Sequence, residues 1–252
     1  MEKKLYFSNS KGDKLCGILT DPSGDKAKPV IILCHGFSSS KDSNTCKSLA
    51  KKFREKNIST FRFDFYAHGE SEGNFADLTV SEAVDDTMRA IEFMKTLNYK
   101  RIGLFGSSFG GLSSYMVASK SKDLFLLIQK APVASYKEFP TYNDSVLVSK
   151  WKKTGYRTIE DKKLKYAFYE DSIKNNAYEV VEDIKIPTLI IHGNQDRDVP
   201  VTQSINITKF IENCALEIVV GADHRFTKKK DFERMLNSIL SFVTAHLHQR
   251  SF

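Results

Sequence analysis

The sequence predicts a doubly wound α/β domain built on a mostly parallel sheet. Short apolar runs suited to covered strands recur at βα spacing, and segments of helical length with three- and four-residue apolar repeats lie between them. The 252-residue chain is long enough for one large core. Leu5 to Phe7 and Leu15 to Leu19, split by Asn9-Ser10-Lys11-Gly12-Asp13, read as an initial antiparallel pair. Val30 to Cys34, Thr60 to Phe63, Ile102 to Phe105 and Phe125 to Ile128 are the covered strands that follow. Asp42 to Lys56, Val80 to Leu97 and Ser108 to Lys120 are the intervening helices. In the second, Val80, Ala83, Val84, Thr87, Ile91 and Met94 put one face toward a core. Thr188 to Ile191 and Glu217 to Val220 add two strands, and Phe232 to Leu247 a final helix. Right-handed crossovers then place helices on both faces and gather active residues at the strand C-terminal ends. Residues 135–185, rich in Tyr, Lys and Glu, break the rhythm and read as a cap insertion within a single domain spanning 1–252, with a helix around Lys162 to Asn175.

Composition narrows the class. With 18 Phe and 10 Tyr, aromatic side chains supply much of the expected core. The net charge of +7 is spread over solvated faces without a nucleic-acid module, so no nucleic-acid partner is expected. Cys16, Cys34, Cys46 and Cys214 lack the spacing of a zinc site or disulfide framework, so free thiols and no metal are expected. No segment has the length of a membrane span, and Met1-Glu2-Lys3-Lys4-Leu5 does not open a signal peptide. A soluble cytoplasmic protein, monomer or homodimer, is the expectation.

Gly106-Ser107-Ser108-Phe109-Gly110 carries the chemistry. It matches G-x-S-x-G between a strand-like and a helix-like run, where a sharp turn exposes a serine hydroxyl and the glycines relieve crowding. A serine hydroxyl is a poor nucleophile without a base and a group that orients the base. His224 follows a predicted strand in Gly221-Ala222-Asp223-His224, and Asp196 follows another in His192-Gly193-Asn194-Gln195-Asp196. The candidate triad is therefore Ser108, Asp196 and His224, with Asp198 and Asp223 as alternative acids. The backbone N–H groups of Phe109, after the nucleophile, and Phe37, in His35-Gly36-Phe37, are candidates for an oxyanion hole. Asp64 and His68, in the turn after the next strand, read as structural, and His192 as a support beneath the acid loop.

With these motifs in hand, the chain resembles the serine α/β-hydrolase superfamily over essentially its full length. His35-Gly36 matches the H-G pattern, Asp64 through Ser71 approximates D-x-x-G-H-G-x-S, and Gly193, Asp196, Val199, Pro200, Gly221 and His224 match the acid and base segments. Ala67 and Asp223 depart from the pattern at positions where glycine is common. Within the superfamily the chain is similar to microbial feruloyl and cinnamoyl esterases and related small-cap acyl hydrolases. That resemblance implies an α/β-hydrolase fold with an initial antiparallel strand pair and a cap, and hydrolysis of small carboxylic esters through an acyl-enzyme without a cofactor. Thioester, amide or peptide cleavage uses the same constellation, and a noncatalytic small-molecule receptor is the alternative from another class. In the cap, Tyr142, Asp144 and Trp151 are candidates for substrate contact, Asp144 toward a phenolic hydroxyl; packing of the cap is the competing role for the aromatic residues there.

Overall fold

The computed structural model describes residues 2–247. Its first two strands, β1 (Glu2–Ser8) and β2 (Lys14–Thr20), form the expected antiparallel hairpin. The strands β3 (Val30–Cys34), β4 (Ser59–Phe63), β5 (Ile102–Ser107), β6 (Leu124–Lys130), β9 (Thr188–Gly193) and β10 (Cys214–Val219) run parallel to one another. Together they make an eight-stranded sheet in the order β1-β2-β4-β3-β5-β6-β9-β10. The α/β-hydrolase fold with a cap is thus the architecture of this chain.

Alternation along the covered strands sends neighbouring side chains to opposite layers. Ile32 and Cys34 of β3 and Leu104 of β5 join one core with α2 (Val80–Thr96) and α3 (Phe109–Ala118). Ile31, Leu33 and Phe105 join the other with α1 (Asn44–Glu55) and α8 (Lys229–His246). Local caps set the helix starts: Ser43 Oγ accepts from Cys46 N–H, and Thr79 Oγ1 accepts from Glu82 N–H. All ten residues of α3 are buried, so the helix after the elbow is fixed by packing all round.

The insertion between β6 and β9 holds α4 (Pro140–Asn143), α5 (Ser145–Thr154), a separate hairpin of β7 (Tyr156–Ile159) and β8 (Lys162–Lys165), and α6 (Tyr166–Ser172). The helix expected around Lys162 to Asn175 is therefore corrected: Lys162–Lys165 is strand and helix begins at Tyr166. Glu160 and Asp161 both adopt positive φ, 47° and 62°, and reverse the chain, after which Leu164 is buried and its carbonyl accepts from Trp151 Nε1–H at 3.0 Å. A further helix, α7 (Val201–Ile207), follows the acid loop.

Candidate active site

Ser108 sits at the junction of β5 and α3 with φ 54° and ψ −116°, a conformation costly for a residue with a side chain. The surroundings make the turn possible only with glycine nearby. A Cβ on Gly110 would lie 2.4 Å from His35 O and 2.6 Å from Cys34 O, and one on Gly106 would lie 2.6 Å from Gly110 O. The elbow is tied to the neighbouring strand, since Ser108 N–H donates to Lys130 O at 3.0 Å.

Asp196 and His224 lie within hydrogen-bonding distance of each other. The Asp196 side chain is fully buried, and its Oδ1 accepts from the backbone N–H groups of Asp198 and Val199, each at 2.8 Å. Its Oδ2 accepts from His224 Nδ1 at 2.6 Å and from His192 Nε2 at 3.0 Å. A carboxylate only accepts, so His224 carries its proton on Nδ1 and keeps Nε2 as an acceptor. His192, donating through Nε2, accepts at Nδ1 from Ser204 Oγ at 2.7 Å. Burial alone would push the Asp196 carboxyl up, but the hydrogen bonds from His192 and His224 outweigh it and hold the group well below the usual carboxylate range. Asp198 is exposed and Asp223 is engaged with Thr227, so neither alternative acid is bonded to the imidazole.

The loop after β3 carries Phe37. Its backbone N–H makes no hydrogen bond among the described residues, and Phe109 N–H is at the first position of α3, where no intrahelical acceptor exists. His35 braces this loop. Its Nε2 accepts from Phe65 N–H at 3.1 Å and its Nδ1 donates to Gly36 O at 2.8 Å, which fixes a neutral ring. Burial, with the neighbouring His68, pulls its pKa down to about 3. Further along, Lys41 is buried against Asp64, with Nζ to Oδ2 at 2.8 Å and Lys41 N–H to Oδ1 at 2.7 Å, and its Nζ also reaches Glu70 at 2.9 Å. Asp64 so acts as an acceptor for loop donors. Gly69 beside it has φ 53°, and a Cβ there would meet Asp64 at 2.2 Å. Ala67, where the family pattern has glycine, keeps the left-handed conformation at φ 59°.

Ser108 and His224 line one cavity of about 520 Å³ together with Gly36, Phe37, Ser38, Lys130 and Arg225. Tyr142, Asp144 and Trp151 do not line this cavity. Asp144 caps α5, accepting from Val146 and Leu147 N–H at 2.9 and 3.0 Å. Trp151 is buried within the cap, and Tyr142 packs on Tyr136, Tyr169 and Trp151. The cap residue that reaches the cavity is Glu160, in the β7–β8 turn. Phe168 of α6 instead packs on the rings of both Phe37 and Phe109, at 5.7 and 6.3 Å between centroids. The cap therefore bears on the residues whose amides are the oxyanion candidates. Sequence reasoning missed Glu160, Lys130 and Arg225; Lys130 lies two residues beyond the expected strand Phe125 to Ile128, and no local pattern marks it.

The model of the prolyl oligopeptidase family (Peptidase_S9) matches residues 73–250, well over half of the chain. The chain belongs to that family. A model described as esterase FrsA-like matches residues 1–124. With the α/β-hydrolase architecture described above, the chain is a serine hydrolase of that superfamily. Palmitoyl-protein thioesterase ABHD10, mitochondrial, of Mus musculus is 24% identical over 234 residues, covering 84% of this chain and 74% of that protein. An uncharacterized 31.7 kDa protein in the traX-finO intergenic region of Escherichia coli is 29% identical over 116 residues, and the match spans only 40% of its length and 45% of this chain. Among solved structures, Est1E from Butyrivibrio proteoclasticus with bound ferulic acid superposes with a TM-score of 0.83 at 24% identity, covering 97% of this chain and 100% of that one. Among the described residues no helix is long and apolar enough to cross a membrane.

Proposed function

We propose that this serine hydrolase cleaves small carboxylic esters through an acyl-enzyme on Ser108. His224 Nε2 takes the Ser108 proton, Asp196 holds the ring and offsets its positive charge, and the Phe37 and Phe109 amides receive the charge that develops on the carbonyl oxygen. His224 then protonates the leaving alcohol and activates water for deacylation. The observation that carries the reading is the strained Ser108 opening into the same cavity as an imidazole whose Nδ1 is held at 2.6 Å by a buried carboxylate.

Ester rather than long-chain acyl chemistry is favoured by the cavity wall. Ser38, Ser39, Ser43, Asn44 and Thr45 line it beside Lys130, a surface that would leave polar groups unpaired against a long hydrocarbon chain. The likeness to Est1E, whose structure holds ferulic acid, supports including hydroxycinnamoyl esters among the candidate substrates. Free thiols at Cys16, Cys34, Cys46 and Cys214 are in keeping with a reducing, cytoplasmic setting. The test is kcat/KM across matched short-chain esters, hydroxycinnamoyl esters and thioesters, for the wild type and Ser108→Ala. The reading requires turnover of the oxygen esters that vanishes in the variant; a preference for long-chain thioesters overturns the ester assignment.

A further inference from the structure

Lys130 ends β6, lines the Ser108 cavity and is only 4% exposed. Its Nζ donates to His224 O at 2.6 Å, and among the described residues no carboxylate pairs with it. An ammonium has three N–H donors, so two make no hydrogen bond among the described residues, and the Phe226 ring centre lies 5.4 Å from Nζ. A buried cation with no carboxylate in direct contact is costly, and the cost grows when a bound molecule expels water from around it. Ser38 Oγ, in the wall of the same cavity, is also buried and has no hydrogen-bond partner. Arg225 adds a second cation at the exposed mouth. Asp198 and Glu160 border the cavity as well, but both are exposed and screened by solvent.

We propose that the cavity is a site for small esters that also carry a carboxylate, with Lys130 Nζ and Ser38 Oγ binding that carboxylate. This rests on the reading of Ser108 as the nucleophile facing the same space. The carboxylate supplies the acceptor that both buried donors lack, and it neutralises the ammonium where water is excluded. Burial pulls the Lys130 pKa down to about 8, against the opposing pull of Asp196 and Asp223. The charged and titratable groups facing it are Asp196, Asp223, His224 and Arg225 on the acid and base loops and Cys46 on α1, whose thiol is pushed up to about 11. Carboxylate binding should thus weaken as pH rises through about 8, where the ammonium loses its proton.

The experiment is calorimetric titration of folded Ser108→Ala protein with monomethyl succinate, an anion, and dimethyl succinate, its neutral counterpart. The monoanion is expected to bind at least about ten-fold more tightly at pH 7, in line with a charge-assisted hydrogen bond. Lys130→Met in the same background should abolish the difference, and Lys130→Arg should keep part of it. Should Lys130→Met not fold, titration of the Ser108→Ala parent at pH 7 and 9.5 reads the same charge, and the preference should fall at the higher pH. Equal affinities, no detectable binding of the monoanion, or a preference unchanged in folded Lys130→Met or at pH 9.5 overturns the proposal. Binding needs no turnover, so this outcome is separate from the failure of the ester reading, which is decided by wild-type turnover of oxygen esters against thioesters and its loss in Ser108→Ala.

Discussion

Replacing Asp196 by Asn tests the electrostatic heart of the site, and the structure dictates how the amide must sit. Oδ1 of Asp196 accepts two backbone N–H groups, from Asp198 and Val199, so the amide oxygen has to take that place. The NH2 group then occupies the position of Oδ2, facing His224 Nδ1 and His192 Nε2. Two donors cannot bond each other. His224 must move its proton to Nε2 to accept from the amide, and an Nε2–H ring cannot take the Ser108 proton. His192 Nε2–H retains its bond to Val199 O at 3.1 Å but faces a donor where a carboxylate stood. A tautomer error of this kind lowers kcat by about 10⁴-fold in serine hydrolases, equivalent to about 5.5 kcal/mol of transition-state stabilisation. Leaving donors opposed in a buried site should also cost about 1 to 3 kcal/mol in stability. The assay is kcat/KM on a small activated ester with folding checked by denaturant unfolding, beside Asp198→Asn as the neighbouring control. More than a tenth of wild-type activity in Asp196→Asn, or an equal loss in Asp198→Asn, refutes the reasoning.

Other changes probe separate parts of the account. Gly110→Ala forces a Cβ against two backbone carbonyls, and overpacking of about 1 to 3 kcal/mol should appear in unfolding together with loss of turnover; wild-type activity would show that the elbow tolerates what its geometry forbids. Trp151→Ala removes a buried ring and its bond to Leu164 O, so stability should fall by about 3 to 5 kcal/mol. The ratio of kcat/KM between short-chain and hydroxycinnamoyl esters should stay unchanged in that variant, and a shifted ratio would return Trp151 to the substrate surface. Asp86 has its Oδ1 buried without a partner, and burial, with Glu82 and Asp85 nearby, pushes its pKa up to about 8. It binds a proton in the folded state that the unfolded chain releases near pH 4, so wild-type stability should fall as pH rises from about 4 to 8. Asp86→Asn should remove that slope and stabilise the protein at pH 8, on the order of 1 to 3 kcal/mol by chemical denaturation; an unchanged slope contradicts the assignment.

The alternating strands and helices were legible because each covered strand is a compact apolar run. Val30 to Cys34 coincides with β3, and Val80 to Leu97 overruns α2 by a single residue. The candidate acid and base were legible for the same reason, since both follow recognisable strands in a telling order along the chain. The cap was not. Lys162–Lys165 has the composition of a helix, and its strand state comes from pairing with Tyr156–Ile159, from burial of Leu164 and from the Trp151 Nε1–H bond to its carbonyl. The turn that permits this pairing holds Glu160 and Asp161 at positive φ, a conformation that sequence patterns associate with Asn and Gly. Tyr142 and Trp151 could be seen as aromatic cap residues, but which way a ring faces depends on tertiary packing. The link from Phe168 to Phe37 and Phe109 likewise joins residues far apart in sequence, and it makes the cap a support for the oxyanion candidates as well as a wall.

The most direct test of the central claim is intact-mass and peptide-mapping analysis after brief reaction with a slowly deacylating activated ester. The account requires a single acyl adduct on the peptide containing Ser108, formed by the wild type and absent from Ser108→Ala. An adduct on another residue, or acylation and turnover that persist in the folded Ser108→Ala protein, contradicts it.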